Sequence, residues 1–342
     1  MRKGKRWLAA AVSAAMIVQS LASVGPVYAA DDGVSIADTF TDSSFRSYVS
    51  SNFDTDSNGY LSDAEIANVT SIDVSKCSPA ISSLNGVELF TNLSKLDCNE
   101  QSIRNLDIEN LENLEYIDVS SNRIDSLTLP VSAEKLTYLD ISGNKITSLT
   151  SLADYNNLVL LNANSTNLSS IDVSNMKGLK VLGVSGTTIS TLDLGSNMEL
   201  TTLYCDSMRS LPVLDVSGHE KLKNLYCAGA KSDSGVVVRS SITKLDVSGD
   251  IALGSLDCSN SYVAELNIDN TPALTTLDCS NTRLTSIDVS KNTSLSYLDV
   301  SSNVLGVVDF TANTALRELY VKDTGINKLD VSTLTNLVNL DA

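Results

Sequence analysis

One twelve-residue stretch, Asp54 to Glu65, carries the residues whose types and spacing point most directly to chemistry. It reads DTDSNGYLSDAE, with oxygen-bearing side chains at its first, third, fifth, ninth and twelfth positions. This is the pattern of an EF-hand calcium loop, in which hard oxygens converge on one cation and a glycine permits the sharp turn. The predicted ligands are the side chains of Asp54, Asp56, Asn58, Ser62 and Glu65 and the backbone carbonyl of Tyr60.

A second interpretation of the same stretch needs no metal. Ser62 and Glu65 have the spacing of a helix capping box, and loops rich in Asp, Asn and Gly are ordinary turns. The full set of ligand positions favours calcium. Because no second loop of this kind follows in the sequence, we expect a structural clamp rather than the switch of paired EF-hands.

An amphipathic helix is expected to position this loop. Phe45, Tyr48, Val49 and Phe53 recur at helical spacing just before it, and Thr41 is the predicted N-cap. A short second helix is expected to start at Ser62.

A repeat fills most of the remaining chain. The unit Leu274–Ser294 reads LTTLDCSNTRLTSIDVSKNTS and has apolar residues at positions 1, 4, 6, 11, 14 and 16. Units start 21 or 22 residues apart, except for one spacing of 31 that marks an insertion at 228–240, and this period is typical of leucine-rich repeats. The twelve units start at Leu93, Leu114, Leu136, Leu158, Leu179, Leu200, Leu222, Leu253, Leu274, Leu295, Leu316 and Leu337.

The repeat predicts a curved leucine-rich-repeat solenoid of the α/β class. Each unit is expected to add one short strand to a parallel concave sheet and to return with little or no helix. Residues 36–92 are expected to form a small helical, EF-hand-like cap, because the first repeat would otherwise expose apolar side chains. A polar column at the ninth position, with Asn122 and Thr282 as examples, is expected to bind unpaired backbone groups at the turns.

The cysteines follow the repeat. Five of the six, all except Cys77, occupy the inward sixth position of a unit. Stacked parallel strands rarely suit the torsion of a disulfide. We therefore expect buried thiols that pack as small apolar groups rather than a disulfide framework.

The solvent side of the strands is the predicted binding surface. Tyrosines stand at its third and fifth positions beside a column of aspartates that includes Asp118 and Asp278, and such a surface suits a protein or carbohydrate ligand. Aspartate also recurs on the return side, as at Asp288, so repeat consensus explains many of these residues equally well. The candidate ligand-binding residues are Tyr116, Tyr138, Tyr204, Tyr226, Tyr297 and Tyr320.

No catalytic motif is recognisable, and we expect a non-enzymatic protein. The one histidine, His219, lies in a turn and is expected to be solvated. The formal net charge of −17 argues against nucleic acid as a partner. We expect a monomer.

The chain begins with a predicted secretory signal. Residues 1–29 combine a basic start, a short apolar run and a small-residue cleavage site, and residues 30–35 are a polar linker. The array reaches Ala342 without a recognisable C-terminal cap or sorting signal, which indicates a fragment of a longer protein or a cap in further sequence.

The units, written LxxLDCSxTxLxxLDVSxN, resemble bacterial internalin-type repeats of the cysteine-bearing variety over Leu93 to Ala342. The resemblance implies a right-handed solenoid on a Gram-positive cell surface that binds a macromolecule through its concave face. The EF-hand-like loop departs from that family. The leading hypothesis is a secreted or surface recognition module with a calcium-clamped cap. The alternative is a spacer, or the substrate-binding region of a larger surface protein or enzyme whose functional domain lies beyond residue 342.

Overall fold

Leucines at the first and fourth positions of each repeat dictate one short strand per unit, and the structure places these strands side by side. The computed structural model describes residues 33–149, 152, 154–231 and 236–342. The predicted signal peptide and residues 30–32 of the linker lie outside this part of the chain. The described residues belong to one unit, Gly33–Ala342.

The helices all lie near the start of the described chain, and short strands follow. The helices are α1 (Ile36–Thr39), α2 (Ser43–Asn52) and α3 (Asp63–Asn68), with a 3₁₀ turn at Val87–Leu89. The strands are β1 (Val34–Ser35), β2 (Tyr60–Leu61), β3 (Ser71–Asp73), β4 (Lys95–Asp97), β5 (Asn105–Asp107), β6 (Tyr116–Asp118), β7 (Ser126–Thr128), β8 (Tyr138–Asp140), β9 (Leu160–Asn162), β10 (Val181–Gly183), β11 (Thr202–Tyr204), β12 (Val213–Asp215), β13 (Asn224–Tyr226), β14 (Ala230–Lys231), β15 (Val237–Val238), β16 (Lys244–Asp246), β17 (Ser255–Asp257), β18 (Glu265–Asn267), β19 (Thr276–Asp278), β20 (Tyr297–Asp299), β21 (Glu318–Tyr320) and β22 (Asn339–Asp341).

Thirteen parallel strands form the main sheet, in the order β3-β4-β6-β8-β9-β10-β11-β13-β17-β19-β20-β21-β22. Twelve of them belong to the twelve predicted units, and β3 extends the sheet into the cap. Equivalent residues pair across the sheet, as Leu277 does with Leu298. At about 4.8 Å per strand, the sheet is roughly 58 Å long. The predicted solenoid is confirmed.

The return side consists of turns and short strands. Small parallel sheets form from β5 with β7 and from β12, β16 and β18. Within the described residues no α-helix occurs after Leu93, as the repeat predicts. Between the two sides, the apolar residues at the first and fourth positions of the first eleven units and the five sixth-position cysteines are buried. In the twelfth unit Leu337 is half-buried and Leu340 is exposed. All six cysteines are free thiols.

The polar column at the ninth position has the predicted scaffold role. Asn122 donates to the carbonyls of Cys98 at 2.8 Å and Val119 at 3.1 Å, and its Oδ1 accepts from the Ile103 amide at 3.0 Å. Thr166 binds the carbonyl of Ala163 at 2.8 Å. Each side chain therefore satisfies backbone groups that the turning chain leaves unpaired.

The cap differs from the sequence expectation at two points. Asp42, not Thr41, is the N-cap of α2, and it accepts from the amides of Ser44 at 2.9 Å and Phe45 at 3.1 Å. The carboxylate prevails because its second oxygen also binds the amide and hydroxyl of Ser82, which joins the helix to the chain entering the first repeat. Val34 and Ser35, assigned to the linker on sequence grounds, form β1 and pair with β2.

An aromatic cluster seals the cap onto the array. Phe40 packs edge-on against Phe45 at 5.5 Å between ring centroids and stacks on Phe90 at 6.0 Å, and Phe53 contacts Phe90 at 5.4 Å. Gly86 has a φ of 97°, and a Cβ there would lie 2.5 Å from the Phe40 ring. A glycine is therefore needed for the cluster to close.

Candidate functional site

The loop from Asp54 to Glu65 brings its acidic side chains together. One carboxylate oxygen each from Asp54, Asp56 and Glu65 lie within 4.8 Å of one another. Asp54 is held in place because Oδ1 accepts from the Asn58 amide at 3.1 Å and Oδ2 from the Gly59 amide at 3.0 Å. The helix α2 enters the loop, and α3 leaves it at Asp63.

Glu65 serves the loop and the helix cap at once. Oε1 accepts from the amide and hydroxyl of Thr55, each at 2.6 Å, while Oε2 accepts from the amide and hydroxyl of Ser62, each at 2.9 Å. These bonds, led by the Thr55 hydroxyl, lower the pKa of Glu65 to about 2. The capping box is present together with the carboxylate cluster, so the two interpretations of the sequence are compatible.

The remaining predicted ligands line the same loop. Asn58 donates from Nδ2 to Asp56 at 3.0 Å and accepts from the Tyr60 amide at 2.7 Å. Tyr60 belongs to β2, and Ser62 is the N-cap of α3. Carboxylates converging beside amide and carbonyl oxygens are the donor set that calcium prefers.

The six candidate tyrosines all lie on the solvent side of the main sheet, and they form three pairs. This surface, made by the third and fifth positions of the repeat strands, is called the sheet face. Tyr116 stacks on Tyr138 at 4.3 Å, and Tyr204 stacks on Tyr226 at 5.1 Å. Tyr297 and Tyr320 are tilted, with 5.6 Å between ring centroids. The pairs fall in units two and three, six and seven, and ten and eleven, which places them four strands apart.

The aspartates beside these tyrosines accept hydrogen bonds within their own repeat unit. Asp278 Oδ1 accepts from the Ser280 amide at 2.9 Å and hydroxyl at 2.7 Å. The return-side Asp288 binds the Ser290 amide at 2.9 Å in the same way. The repeat therefore accounts for one oxygen of each aspartate, because a serine two residues later donates to it. Burial raises the pKa of Asp278 to about 6, and the charges of Asp257 and Asp299 contribute.

The expectation of a solvated His219 is wrong. The ring is only 3% exposed, and its Nδ1 and Nε2 lie 2.8 Å and 3.2 Å from the carbonyl oxygens of Val216 and Leu194. It belongs to a second buried polar column, on the return side, that the sequence reading missed. The sequence does show a polar residue three positions before the opening leucine in six of the twelve units, at Asn197, His219, Asp250, Thr271, Asn292 and Asn313.

The insertion at 228–240 contains an antiparallel pair of strands, β14 and β15. The second of these strands consists of Val237 and Val238. Arg239 anchors its base by donating to the Ser261 carbonyl at 2.8 Å and to Asn281. Its guanidinium also lies 5.6 Å from the centre of the Tyr262 ring.

Comparison with known proteins gives a consistent result. Leucine-rich-repeat family models match residues 112–154, as two copies, and residues 291–308. No curated protein matches the chain significantly in sequence. No helix in the described part of the chain has the length and apolar character to cross a membrane.

Solved structures of bacterial repeat proteins superpose well. The functional domain of InlJ from Listeria monocytogenes, described as including a cysteine ladder, is 29% identical with a TM-score of 0.70, covering 90% of this chain and 61% of that one. The chain thus spans about three-fifths of the InlJ chain. The internalin InlF from Listeria monocytogenes is 20% identical, with a TM-score of 0.69 and coverage of 90% and 91%. The leucine-rich effector YopM from Yersinia pestis is 20% identical, with a TM-score of 0.56 and coverage of 74% and 64%.

Thiol placement is a second point of similarity to InlJ, whose structure is described as including a cysteine ladder. Cys205, Cys227, Cys258 and Cys279 occupy the same buried position in four successive units and form a ladder of their own. The chain has a leucine-rich-repeat fold similar to that of the internalins InlJ and InlF.

Proposed function

We propose that this protein is a secreted or surface-displayed recognition module, without catalytic activity, that binds a protein through the sheet face. The observation that carries the proposal is the set of three tyrosine pairs on one surface. Tyrosine supplies a large contact area at a low cost in side-chain entropy and combines an apolar ring with a hydroxyl. Four of the six rings are held by stacking, so less freedom is lost on binding.

Ring orientation favours a protein over a glycan. Sugars bind aromatic residues by lying flat on an exposed ring face. In the stacked pairs, with interplanar angles of 10° and 8°, each ring covers one face of its neighbour. The outer side of the first pair is taken by Lys95, whose Nζ lies 5.2 Å from the centre of the Tyr116 ring. Ring edges and hydroxyls of these stacked pairs remain for a partner, and these suit peptide carbonyl groups and polar side chains.

Loss of the central pair tests this function. The double variant Tyr204→Ala and Tyr226→Ala should weaken binding to a protein partner by about tenfold or more, because hot spots centre on buried aromatic residues. The assay is binding of labelled protein to an immobilised panel of purified extracellular proteins and glycans. The matched control is Val304→Ala with Val307→Ala, which removes side chains 76% and 87% exposed on the return side. Equal binding by both double variants would place the contact elsewhere, and exclusive binding to glycans would overturn the protein assignment.

We further propose that the Asp54–Glu65 loop holds one structural calcium ion. The support is the convergence of Asp54, Asp56 and Glu65 within 4.8 Å, at a loop fixed on both sides by helices. Bound calcium would neutralise carboxylates that otherwise repel one another. It would also tie α2 to α3 next to the first strand of the array, which supports a clamp in the cap rather than a contact with a partner.

Calcium should raise the melting temperature. Free calcium at a hundredfold excess over Kd adds about 2.7 kcal/mol to the free energy of unfolding. Asp56→Ala should abolish the calcium effect, since the recorded bonds of Asp56 go only to Asn58 within the loop. The matched control is Asp63→Ala, seven residues later, at the exposed start of α3. Identical melting of the wild type in calcium and in chelator, with no heat of binding, would exclude the site.

A further inference from the structure

The sheet face contains two six-residue sets that share five residue types in the same register. Near the start of the array, β3, β4 and β6 place Ser71, Lys95 and Tyr116 at the third position, in register. Near its end, β17, β19 and β20 place Ser255, Thr276 and Tyr297 at the same position. Each set is flanked by three stacked aspartates at the fifth position, namely Asp73, Asp97 and Asp118 in the first and Asp257, Asp278 and Asp299 in the second.

The two sets differ chemically at one residue. In the first, the Lys95 ammonium lies 3.9 Å from Asp73, 3.8 Å from Asp97 and 5.2 Å from the centre of the Tyr116 ring. In the second, Thr276 stands where Lys95 stands in the first. Among the described residues, no ion pair forms with Asp257, Asp278 or Asp299, and no cation lies over Tyr297.

We infer that the second set binds a lysine or arginine side chain of a basic protein segment. The first set shows in this same chain what the arrangement accommodates: a cation between two carboxylates and over a tyrosine ring. The inference rests on the proposed function and names the chemistry of its partner. An occupant of positive charge is also complementary to a protein whose formal net charge is −17.

Access and bonding are consistent with this role. Asp257, Asp278 and Asp299 are half-buried, whereas Asp97 and Asp118 in the set that contains Lys95 are buried. The recorded hydrogen bonds of Asp278 and Asp299 all use Oδ1, to Ser280 and Ser301. Their Oδ2 atoms are thus available to a partner's donor. A cation would also relieve the repulsion within the row of carboxylates, which desolvation strengthens.

Exchange of the one differing residue tests the inference. The probe is a blocked decalysine peptide, with a glycine-serine peptide of equal length as the uncharged reference, measured by calorimetry on the full chain. Thr276→Lys should weaken decalysine binding by about tenfold, because the added ammonium occupies the site as Lys95 does in the first set. The reciprocal Lys95→Thr should open the first set and raise the stoichiometry from one peptide to two.

Matched variants separate the site from the overall charge. Thr202→Lys adds the same charge at a half-buried third position of β11, beside the central tyrosine pair and away from the aspartate rows. It should change decalysine affinity by less than about twofold. Asp278→Asn with Asp299→Asn should weaken binding as Thr276→Lys does. Equal effects of Thr276→Lys and Thr202→Lys would overturn the inference.

The outcome is separable from that of the proposed function. Decalysine affinity could be unchanged by Thr276→Lys while a protein of the immobilised panel binds the Tyr204 and Tyr226 double variant more weakly. In that case the basic-segment inference fails and protein recognition stands. If no protein on the panel depends on those tyrosines but decalysine binds at Thr276, the cation site stands and the wider recognition role fails.

Discussion

At the scale of single residues, Asp250 is the position at which charge and environment conflict most. It is fully buried in the return-side column, where Oδ1 accepts from the His219 amide at 2.8 Å. Its Oδ2 has no hydrogen-bond partner among the described residues. At the equivalent position Asn313 donates from Nδ2 to the carbonyls of Val289 and Asn292, at 2.9 and 3.0 Å. A carboxylate cannot make those bonds, whereas a protonated carboxyl can make one of them.

The variant Asp250→Asn should therefore stabilise the protein at alkaline pH. Burial, with the charges of Asp246 and Asp215, raises the pKa of Asp250 to about 7, above the ordinary value of 3.8. The folded state thus holds one extra proton between these values, and the free energy of unfolding falls as pH rises through them. Asparagine does not titrate, so we expect a gain on the order of 2 kcal/mol at pH 8 and little change near pH 5.

Urea denaturation at the two pH values measures this effect. The control is Asp193→Asn, at an exposed return-side turn where Oδ1 accepts from the Gly195 amide at 2.9 Å. It should leave the pH dependence as in the wild type. A loss of stability in Asp250→Asn at both pH values would mean that the carboxylate is preferred at this position.

At the scale of elements, regularity decided what could be predicted from sequence. The repeat period and the alternation of apolar and polar residues predicted all twelve repeat strands and the buried thiols. This was possible because successive side chains of a strand point to opposite faces of the sheet. The same register predicted that the six tyrosines lie on the solvent side of the sheet. Their grouping into stacked pairs four strands apart did not, since stacking depends on side-chain rotamers across strands.

The misplaced elements were those that depend on long-range partners. Asp42 is favoured over Thr41 as N-cap because of Ser82, forty residues away. Val34–Ser35 becomes a strand only because β2 offers an edge. His219 looks like a turn residue locally, and it is buried because neighbouring turns stack on it and supply carbonyl oxygens. The ligand spacing of the Asp54–Glu65 loop is local, and oxygens of Asp54, Asp56 and Glu65 lie within 4.8 Å of one another. Calcium binding there stays a prediction.

At the scale of the whole molecule, some carboxylates have raised pKa values and others have lowered ones. Together they should place the maximum of the free energy of unfolding below pH 7. Burial raises the pKa values of Asp206 and Asp278 to about 6, so the stability associated with their protonated forms is lost as pH rises through 6. Hydrogen bonds from Thr55 lower the pKa of Glu65 to about 2, and the Ser75 hydroxyl lowers that of Asp73. The stability that Glu65 and Asp73 contribute is present at pH values above their pKa values in the unfolded state. It is lost as pH falls below about 4.

The melting temperature should accordingly peak between about pH 4 and pH 6 when measured in excess chelator, which keeps the proposed calcium site out of the titration. Added salt should raise the melting temperature more at pH 8 than at pH 5, because the negative charge to be screened, formally −17 at pH 7, is larger there. Circular dichroism melts across pH 3 to 9 at two salt concentrations measure both effects. A maximum at or above pH 7, with the same salt response at either pH, would show that the stacked carboxylates do not limit the stability of the array.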